Sequence, residues 1–340
     1  MDAAAKSALA PADDPMIEDA PASSPDAPQD PWITVRELAL KQLDRIMSLE
    51  SKVLRGDDPE AIHDMRVASR RLQQILDLLY PHPHGDVRKL RRRIRCSRRV
   101  LGDVRNADVQ LARVKRVLAR KRTARREAWE ALREYLLSQR AENFAWALRR
   151  LSKQRLAVVY IRLKDILAQT QAKAVAHTAG ALMEGDDAQP NRFEERLTMS
   201  LASVWQGFEA QVAESHRDSQ SSVIHAVRIA AKRLRYLVEV LHEFKVAGSA
   251  ETLAWLRGVQ ELLGNWHDLE VLEQMMVAMV GRPAFLRENL GVAMEVEKLI
   301  LRNRASKGKF REEYFRQTLE GADFQRVRNW AENLELKIGN

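Results

Sequence analysis

The chain has 340 residues, a hydrophobic content of 45% and a net charge of +9. This length can bury a substantial core and suggests about two domains, while the single cysteine, Cys96, excludes an internal disulfide and suits a reducing compartment. No apolar run approaches ~18 residues and the N-terminus lacks an apolar secretion signal, so we expect a cytoplasmic protein that does not span a membrane. Gly and Pro are scarce, strong helix formers are abundant and β-branched alternation is hard to find, which favours an all-α fold.

The positive charge is concentrated in one part of the chain. Residues 62–126 carry twenty Lys and Arg against five Asp, a net of +15, which implies a polyanionic partner or an electrostatic steering surface. Residues 1–31 carry one Lys and seven acidic groups and hold almost no bulky side chains. We expect these residues to form a disordered acidic tail, which either only solubilises the chain or competes for the chain's own basic site.

The first helices follow the tail. An amphipathic pattern predicts a helix over residues 32–53. Asp58 suits an N-cap and Pro59 a first helical position, so the next helix is expected to begin there and to end at Tyr80, before Pro81.

The helix predicted over residues 86–101 reads DVRKLRRRIRCSRRVL. Like charges spaced three and four residues apart on a helix repel, each pair costing a few tenths of a kcal/mol, and a solvated face normally mixes signs. We therefore interpret this face as built for an external anion. Its arginines occupy a band of about 120° and are Arg88, Arg91, Arg92, Arg95, Arg98 and Arg99.

One stretch of the sequence occurs twice. The first copy, from Ile62, reads IHDMRVASRRLQQIL, and the second, from Ile224, reads IHAVRIAAKRLRYLV; six of fifteen positions match at an offset of 162 residues. A second block, LGDVRNADVQL from Leu101 and LGNWHDLEVL from Leu263, has the same offset. Two blocks at one offset indicate an internal duplication.

The duplication and a linker divide the chain. EGDDAQPN, Glu184–Asn191, is the best candidate linker. Gly102 and Gly264 are expected to end helices, each followed by an N-cap residue, and further breaks are expected near Thr123 and Ser138. The predicted divisions are the tail 1–31, a first helical half 32–184, the linker 185–191 and a second helical half 192–340. The helices predicted in the second half cover residues 191–217, 222–245, 249–263, 266–280, 283–304 and 307–336, the last with a break near Gly321.

Each copy of the repeat presents a His and several cations opposite an apolar face. The cationic residues fall within about 60° on each helix. An arginine binds phosphate oxygens through a planar fork of donors, and a histidine can donate to or orient a phosphate. A duplicated bundle would pair these two faces across a shared groove, where they would bind a polyphosphate-type chain. The residues are His63, Arg66 and Arg70 in the first copy, and His225, Arg228 and Lys232 in the second.

Other interpretations of the same residues stay open. In one alternative the helices only carry solvated faces, in a second the basic field binds nucleic acid, and in a third His63 or His225 is the phospho-acceptor of a hydrolase. A metal site is disfavoured because neither histidine has a second ligand nearby at metal-binding spacing. For Asp108 and Glu270, a salt-bridging role is favoured over Mg²⁺ binding. No Gly-rich phosphate loop or nucleophile elbow is present.

Four motifs together resemble a known family. IHDMRVASRRL, LGDVRNADV, IHAVRIAAKRLRYL and LGNWHDLEV are similar to the CHAD domain, the conserved histidine α-helical domain, over most of residues 32–340. The resemblance implies two pseudo-symmetric four-helix bundles packed around a basic central cavity. It also implies binding of inorganic polyphosphate and association with polyphosphate granules. Because no catalytic or metal-binding motif is present, we expect this binding to be non-catalytic and to need no cofactor or metal.

The resemblance also implies a ligand-facing set. Two positions depart from the family pattern: Asn106 stands where an Asp is expected, and His267 where an Arg is expected. To the set carried over by position we add Arg95 and Arg257 from the matched second helices. The residues carried over are His63, Arg66, Arg70, Arg71, His225, Arg228, Lys232, Arg233 and Arg235.

Overall fold

The structure is a computed structural model, and it describes residues 31–169, 189–319 and 321–334. These ranges form helices and contain no strand, which confirms the predicted all-α fold. The predicted tail lies outside the described residues up to residue 30, and the predicted linker up to residue 188. The helices are α1 (Pro31–Arg55), α2 (Pro59–Leu79), α3 (Gly85–Val100), α4 (Gly102–Leu118), α5 (Arg126–Leu151), α6 (residues 156–169), α7 (Gln189–Arg217), α8 (Ser221–Glu243), α9 (Ser249–Val280), α10 (Pro283–Glu288), α11 (Leu290–Gln317) and α12 (Ala322–Glu332).

Helix α2 has the boundaries that its sequence predicts. The carboxylate of Asp58 accepts hydrogen bonds from the backbone N–H groups of Glu60 at 3.0 Å and Ala61 at 3.1 Å, and Pro59 occupies the first turn. These bonds satisfy donors that the first turn of a helix leaves without partners. The helix ends at Leu79, and Tyr80 leaves helical geometry with φ −131° and ψ 74°.

The two LG blocks differ in the structure. In the first block α3 ends at Val100 and α4 begins at Gly102, so the predicted break is present but only one residue long. In the second block the predicted break is wrong, because α9 runs unbroken through Gly264. Leu263 and Trp266 on either side of this glycine are both buried in the core, and their packing holds the backbone helical.

Two more predicted breaks are wrong. Helix α5 continues through Ser138, whose hydroxyl donates to Glu142 Oε1 at 3.1 Å on the exposed side of the helix. The predicted helix 283–304 instead begins as the short α10, and α11 then runs without interruption past residue 304. Buried residues along α11, among them Val296 and Tyr314, keep it helical across the predicted gap.

Helical hairpins organise the core. Helix α1 packs on α2 and α7 packs on α8, while α9 packs on both α8 and α11. The larger hydrophobic core includes side chains from α1, α2, α7, α8, α9 and the second half of α11. A smaller core lies where α4, α5, α9 and α11 meet. An aromatic group in the larger core consists of Trp205, Phe208, Trp255 and Phe324.

The two repeated helices lie together. Helix α2 packs directly against α8, α3 lies against α2, and α9 lies against α8. This order of contacts is compatible with the predicted duplication, with α9 occupying the place that α3 and α4 share in the first half. Among the described residues, no helix combines the length and apolar character needed to cross a bilayer.

Candidate anion-binding site

Five cationic side chains from three helices meet where α2 packs against α8. Arg66 Nη1 of α2 donates to the backbone carbonyl of Arg98 in α3 at 2.5 Å, and Arg70 Nη1 of α2 donates to the hydroxyl of Tyr236 in α8 at 3.4 Å. The charges of Arg66 and Arg70 also act on Lys232 of α8. We call this group the central cluster, and its members are Arg66, Arg70, Arg98, Arg228 and Lys232.

Burial and the repulsion of neighbouring cations weaken the charged forms of four cluster residues, Arg66, Arg98, Arg228 and Lys232. Burial first and the charge of Arg70 second lower the pKa of Arg66 and of Arg98 to about 10. The pKa of Lys232 lies well below its ordinary value of 10.5, first because the ammonium is buried and then because Arg228, Arg70 and Arg66 surround it. An anion bound among these groups would favour their charged forms.

Few carboxylates offset this charge. Asp268 of α9 acts on Arg228 and Lys232, and the exposed Asp103 of α4 acts on Arg66. Neither forms an ion pair within 4.0 Å, and within the described part of the chain no cluster residue is ion-paired with a carboxylate. The buried Arg228 Nε also has no hydrogen-bond partner there. Cations with so little internal compensation are suited to an external anion.

Histidines border the cluster. Burial lowers the pKa of His63 below its ordinary value, and Arg105 lowers it further. His225 lies beside His267, with ring centroids 5.1 Å apart, and the pKa of His267 falls to about 3 because the ring is buried near Arg228, His225 and Lys232. Burial lowers the pKa of His225 as well. These imidazoles are therefore neutral near pH 7, and each retains one N–H donor.

Two predicted site residues bind the same carboxylate. Arg71 Nε of α2 lies 3.0 Å from Glu239 Oε2, and Arg235 Nε of α8 lies 2.9 Å from Glu239 Oε1. Arg235 also donates to Gln260 Oε1 at 3.3 Å. Glu239 thus joins α2 to α8 and offsets the charge of both arginines, so these two side chains hold the helices around the cluster.

The predicted arginine band of α3 divides into an inner and an outer part. Arg91 faces inward, where it forms an ion pair with Asp77 and donates to the backbone carbonyl of Tyr80 at 3.2 Å. Arg98 also faces inward and belongs to the central cluster. The remaining predicted residues are exposed: Arg88, Arg92, Arg95 and Arg99 on α3, Arg233 on α8 and Arg257 on α9.

Several groups at the site were not predicted as ligand-facing. Arg105, at the start of α4, donates to Glu60 Oε1 at 3.0 Å and lies near His63. Its counterpart at the offset of 162 is His267, so aligning the two LG blocks pairs Arg105 with His267 in the sequence. Arg113 acts electrostatically on Asp268, and no motif in the sequence marks it.

Two acidic residues of the LG blocks, Asp108 and Glu270, form ion pairs, as predicted. Asp108 is buried and its Oδ1 accepts from Arg140 Nε at 2.5 Å, while Arg140 Nη2 donates to the carbonyl of Gly56 at 2.8 Å. Glu270 Oε2 lies 2.6 Å from Lys307 Nζ. Within the described ranges, no group of three or more His, Cys, Asp or Glu has a metal-binding arrangement.

Comparison with known proteins places these residues in a family context. Residues 37–277 match the family described as "CHAD domain". Uncharacterized proteins from two strains of Mycobacterium tuberculosis are each 25% identical over 260 residues, which cover 76% of this chain and 47% of each relative. The chain thus spans about half the length of these curated relatives.

A solved structure has a similar fold. The crystal structure of the CHAD domain from the plant Ricinus communis superposes with a TM-score of 0.59 at 22% sequence identity. The similarity covers 94% of this chain and 97% of the plant domain. At this identity the likeness concerns the arrangement of the helices.

Proposed function

The chain belongs to the CHAD domain family, and on that premise we propose that it binds inorganic polyphosphate without catalysing a reaction. The central cluster is the binding site, and its position between α2 and α8 explains why the sequence repeats a cationic helix face. In the cell, this activity would place the protein in the cytoplasm at polyphosphate granules.

One observation carries the proposal. Five cations from α2, α3 and α8 face one another without a paired carboxylate in the described part of the chain. Such an arrangement is destabilising unless an anion is bound, because unpaired charges removed from water cost free energy. Guanidinium groups bind phosphate oxygens through paired hydrogen bonds, and a linear phosphate chain supplies a charge for each of several cations.

The proposal is tested by comparing polyanions. Long-chain polyphosphate, duplex DNA, single-stranded RNA and orthophosphate are titrated against the protein at ~150 mM salt, where exposed charges are screened beyond about 8 Å. We expect polyphosphate to bind most tightly, with log K falling linearly with the logarithm of salt concentration. Equal affinity for duplex DNA would show a general polyanion binder and contradict the specific claim.

A charge-matched pair of variants locates the site. Replacing Arg70 and Arg228 with Gln removes two charged contacts and should weaken polyphosphate binding on the order of a hundredfold. Replacing Lys41 and Lys52, two exposed cations of α1, with Gln changes the net charge equally and should leave affinity within twofold. Circular dichroism checks that helicity is retained. Unchanged binding by the Arg70/Arg228 variant would place the site elsewhere.

The hydrolase alternative has its own assay. Purified protein is incubated with polyphosphate, and released orthophosphate is followed over time. We expect no sustained release. Turnover that disappears in His63→Ala would instead show an enzyme that uses this histidine.

A further inference from the structure

The exposed arginines of α3 form a second cationic surface outside the central cluster. We call it the outer stripe, and its members are Arg88, Arg92, Arg95 and Arg99. At 100° per residue these side chains fall within an arc of about 60°, and the eleven residue-to-residue steps from Arg88 to Arg99 rise about 16 Å. The stripe is therefore narrow, straight and longer than a single phosphate group.

Within the described residues, the outer stripe has no internal counterions. None of its members is ion-paired with a carboxylate in the ranges that the structure describes, although Lys89 on the same helix lies 3.6 Å from Asp86 and Arg91 is paired with Asp77. Four like charges at spacings of three and four residues repel one another. A helix face of this kind is stabilised by an external polyanion.

The stripe belongs to the first half of the chain alone. At the offset of 162 residues, Arg88 and Arg92 correspond to Ala250 and Ala254, and Arg99 corresponds to Glu261. Only Arg95 has a cationic counterpart, Arg257. The central cluster draws on both copies of the repeat, so the stripe is a one-sided addition to it.

The stripe and the cluster are continuous across α3. The charges of Arg95 and Arg99 both lower the pKa of Arg98, which belongs to the cluster, and the carbonyl of Arg98 accepts from Arg66. On the helix, Arg98 lies about 60° round from Arg95. A linear anion can therefore pass from the cluster over the edge of α3 without leaving the field of its arginines.

We propose that the outer stripe binds the part of a long linear polyphosphate that extends beyond the central cluster, so that affinity depends on chain length. This inference rests on the proposed function. A short chain is bound by the cluster alone, because it is too small to reach the four outer arginines. A long chain occupies both surfaces, and the stripe adds to its affinity through additional ion pairs and counterion release.

The test uses two ligand lengths and one variant. Arg88, Arg92, Arg95 and Arg99 are all replaced with Gln, and binding of tripolyphosphate and of long-chain polyphosphate is measured by titration across a salt series. We expect tripolyphosphate affinity within twofold of the wild type and long-chain affinity at least tenfold weaker. The salt dependence for the long chain, plotted as log K against log salt, should become shallower by about 3.

A second variant controls for the loss of four charges. Lys115, Arg116, Arg120 and Arg122 are exposed cations on and just after the C-terminal end of α4, and their replacement with Gln should leave both affinities within twofold. Equal weakening by the two variants, or wild-type affinity of the stripe variant for long chains, would overturn the inference. Loss of duplex DNA binding alone would also overturn it. Failure of the wild-type protein to bind either polyphosphate would instead contradict the proposed function.

Discussion

Lys232 is the side chain whose charge the fold disfavours most clearly. Its ammonium is buried beside Arg228, Arg70 and Arg66, and its pKa lies well below 10.5. A residue that weakens the folded state and strengthens anion binding should show opposite effects on stability and on affinity when its charge is removed.

We predict that Lys232→Met stabilises the protein while weakening polyphosphate binding. Removing a buried charge of this kind should raise the free energy of unfolding by about 1–2 kcal/mol, and loss of a charged contact should weaken binding roughly tenfold to a hundredfold. Urea unfolding and titration measure the two effects. Lys41→Met, on an exposed site of α1, is the control and should change neither. A variant that is less stable yet binds normally would show that Lys232 has only a packing role.

The pKa of His267 predicts a dependence of stability on pH. The unfolded chain protonates this histidine below pH ~6.5, whereas the folded chain does not do so until about pH 3, because burial and neighbouring cations disfavour the imidazolium. Acid therefore favours the unfolded state. His267→Gln should reduce the loss of stability between pH 7 and pH 5 by at most about 1 kcal/mol, since the ring is partly exposed and its charge partly screened.

Urea unfolding at the two pH values measures this difference. His82→Gln, at an exposed histidine in the turn before α3, is the matched control and should follow the wild type. If wild type and His267→Gln lose the same unfolding free energy between pH 7 and pH 5, other groups cause the acid sensitivity.

At the scale of single residues, the sequence predicted which helix face carries the cations, but it did not predict which partner each side chain contacts. The arginine band of α3 was identified as an anion-facing surface, but the band spans an arc wide enough to include both the inward Arg91 and the exposed Arg92. Arg91 is paired with Asp77 on another helix. The direction of each guanidinium depends on where α2 lies, and helical periodicity in α3 does not contain that information.

Helices α2 and α8 are joined by Glu239, which accepts from Arg71 and Arg235. Glu239→Gln would remove the negative charge and leave both arginines among the cations of the cluster. We predict a loss of about 1–2 kcal/mol in the free energy of unfolding, because a Gln amide has one acceptor oxygen and can accept from only one of the two partly buried arginines. Polyphosphate affinity should rise, because two more cations lack a counterion.

Unfolding and titration again distinguish the effects. Glu243→Gln, one turn later on the exposed face of α8, is the control and should leave stability and affinity near wild type. Weaker polyphosphate binding by Glu239→Gln would show that the cluster depends on the geometry of this junction more than on its charge.

At the scale of helices, local signals were sufficient for some boundaries and insufficient for others. Asp58 and Pro59 begin α2 through contacts within its first turn, which the sequence displays directly. Gly264 was expected to end a helix, yet α9 continues because Leu263 and Trp266 pack in the core. The cost of one glycine in a helix is about 1 kcal/mol, which the burial of two large side chains exceeds.

The whole molecule is more positive without its N-terminal residues. Residues 2–30 carry a net charge of −6, so their deletion raises the net charge from +9 to +15. We predict that the association rate constant for long-chain polyphosphate then rises roughly twofold to tenfold at ~50 mM salt, because the field that attracts the ligand is stronger. The difference should vanish near ~500 mM salt, where the Debye length is short.

Stopped-flow mixing measures these rates. A variant in which residues 2–30 are replaced by a Gly/Ser segment of equal length separates charge from excluded volume, and it should associate like the deletion. Association that follows segment length, with the Gly/Ser variant as slow as the wild type, would show that the acidic groups do not act through their charge.

The central cluster between α2 and α8 also has a consequence for the lifetime of the protein. A ligand that binds only the folded chain stabilises it by RT ln(1 + [L]/Kd), so an anion at a hundred times its dissociation constant adds about 2.7 kcal/mol. Proteases degrade chains in proportion to the fraction that opens. On the proposed function, the abundance of this protein should therefore follow the supply of polyphosphate, because proteases would degrade molecules without bound ligand faster.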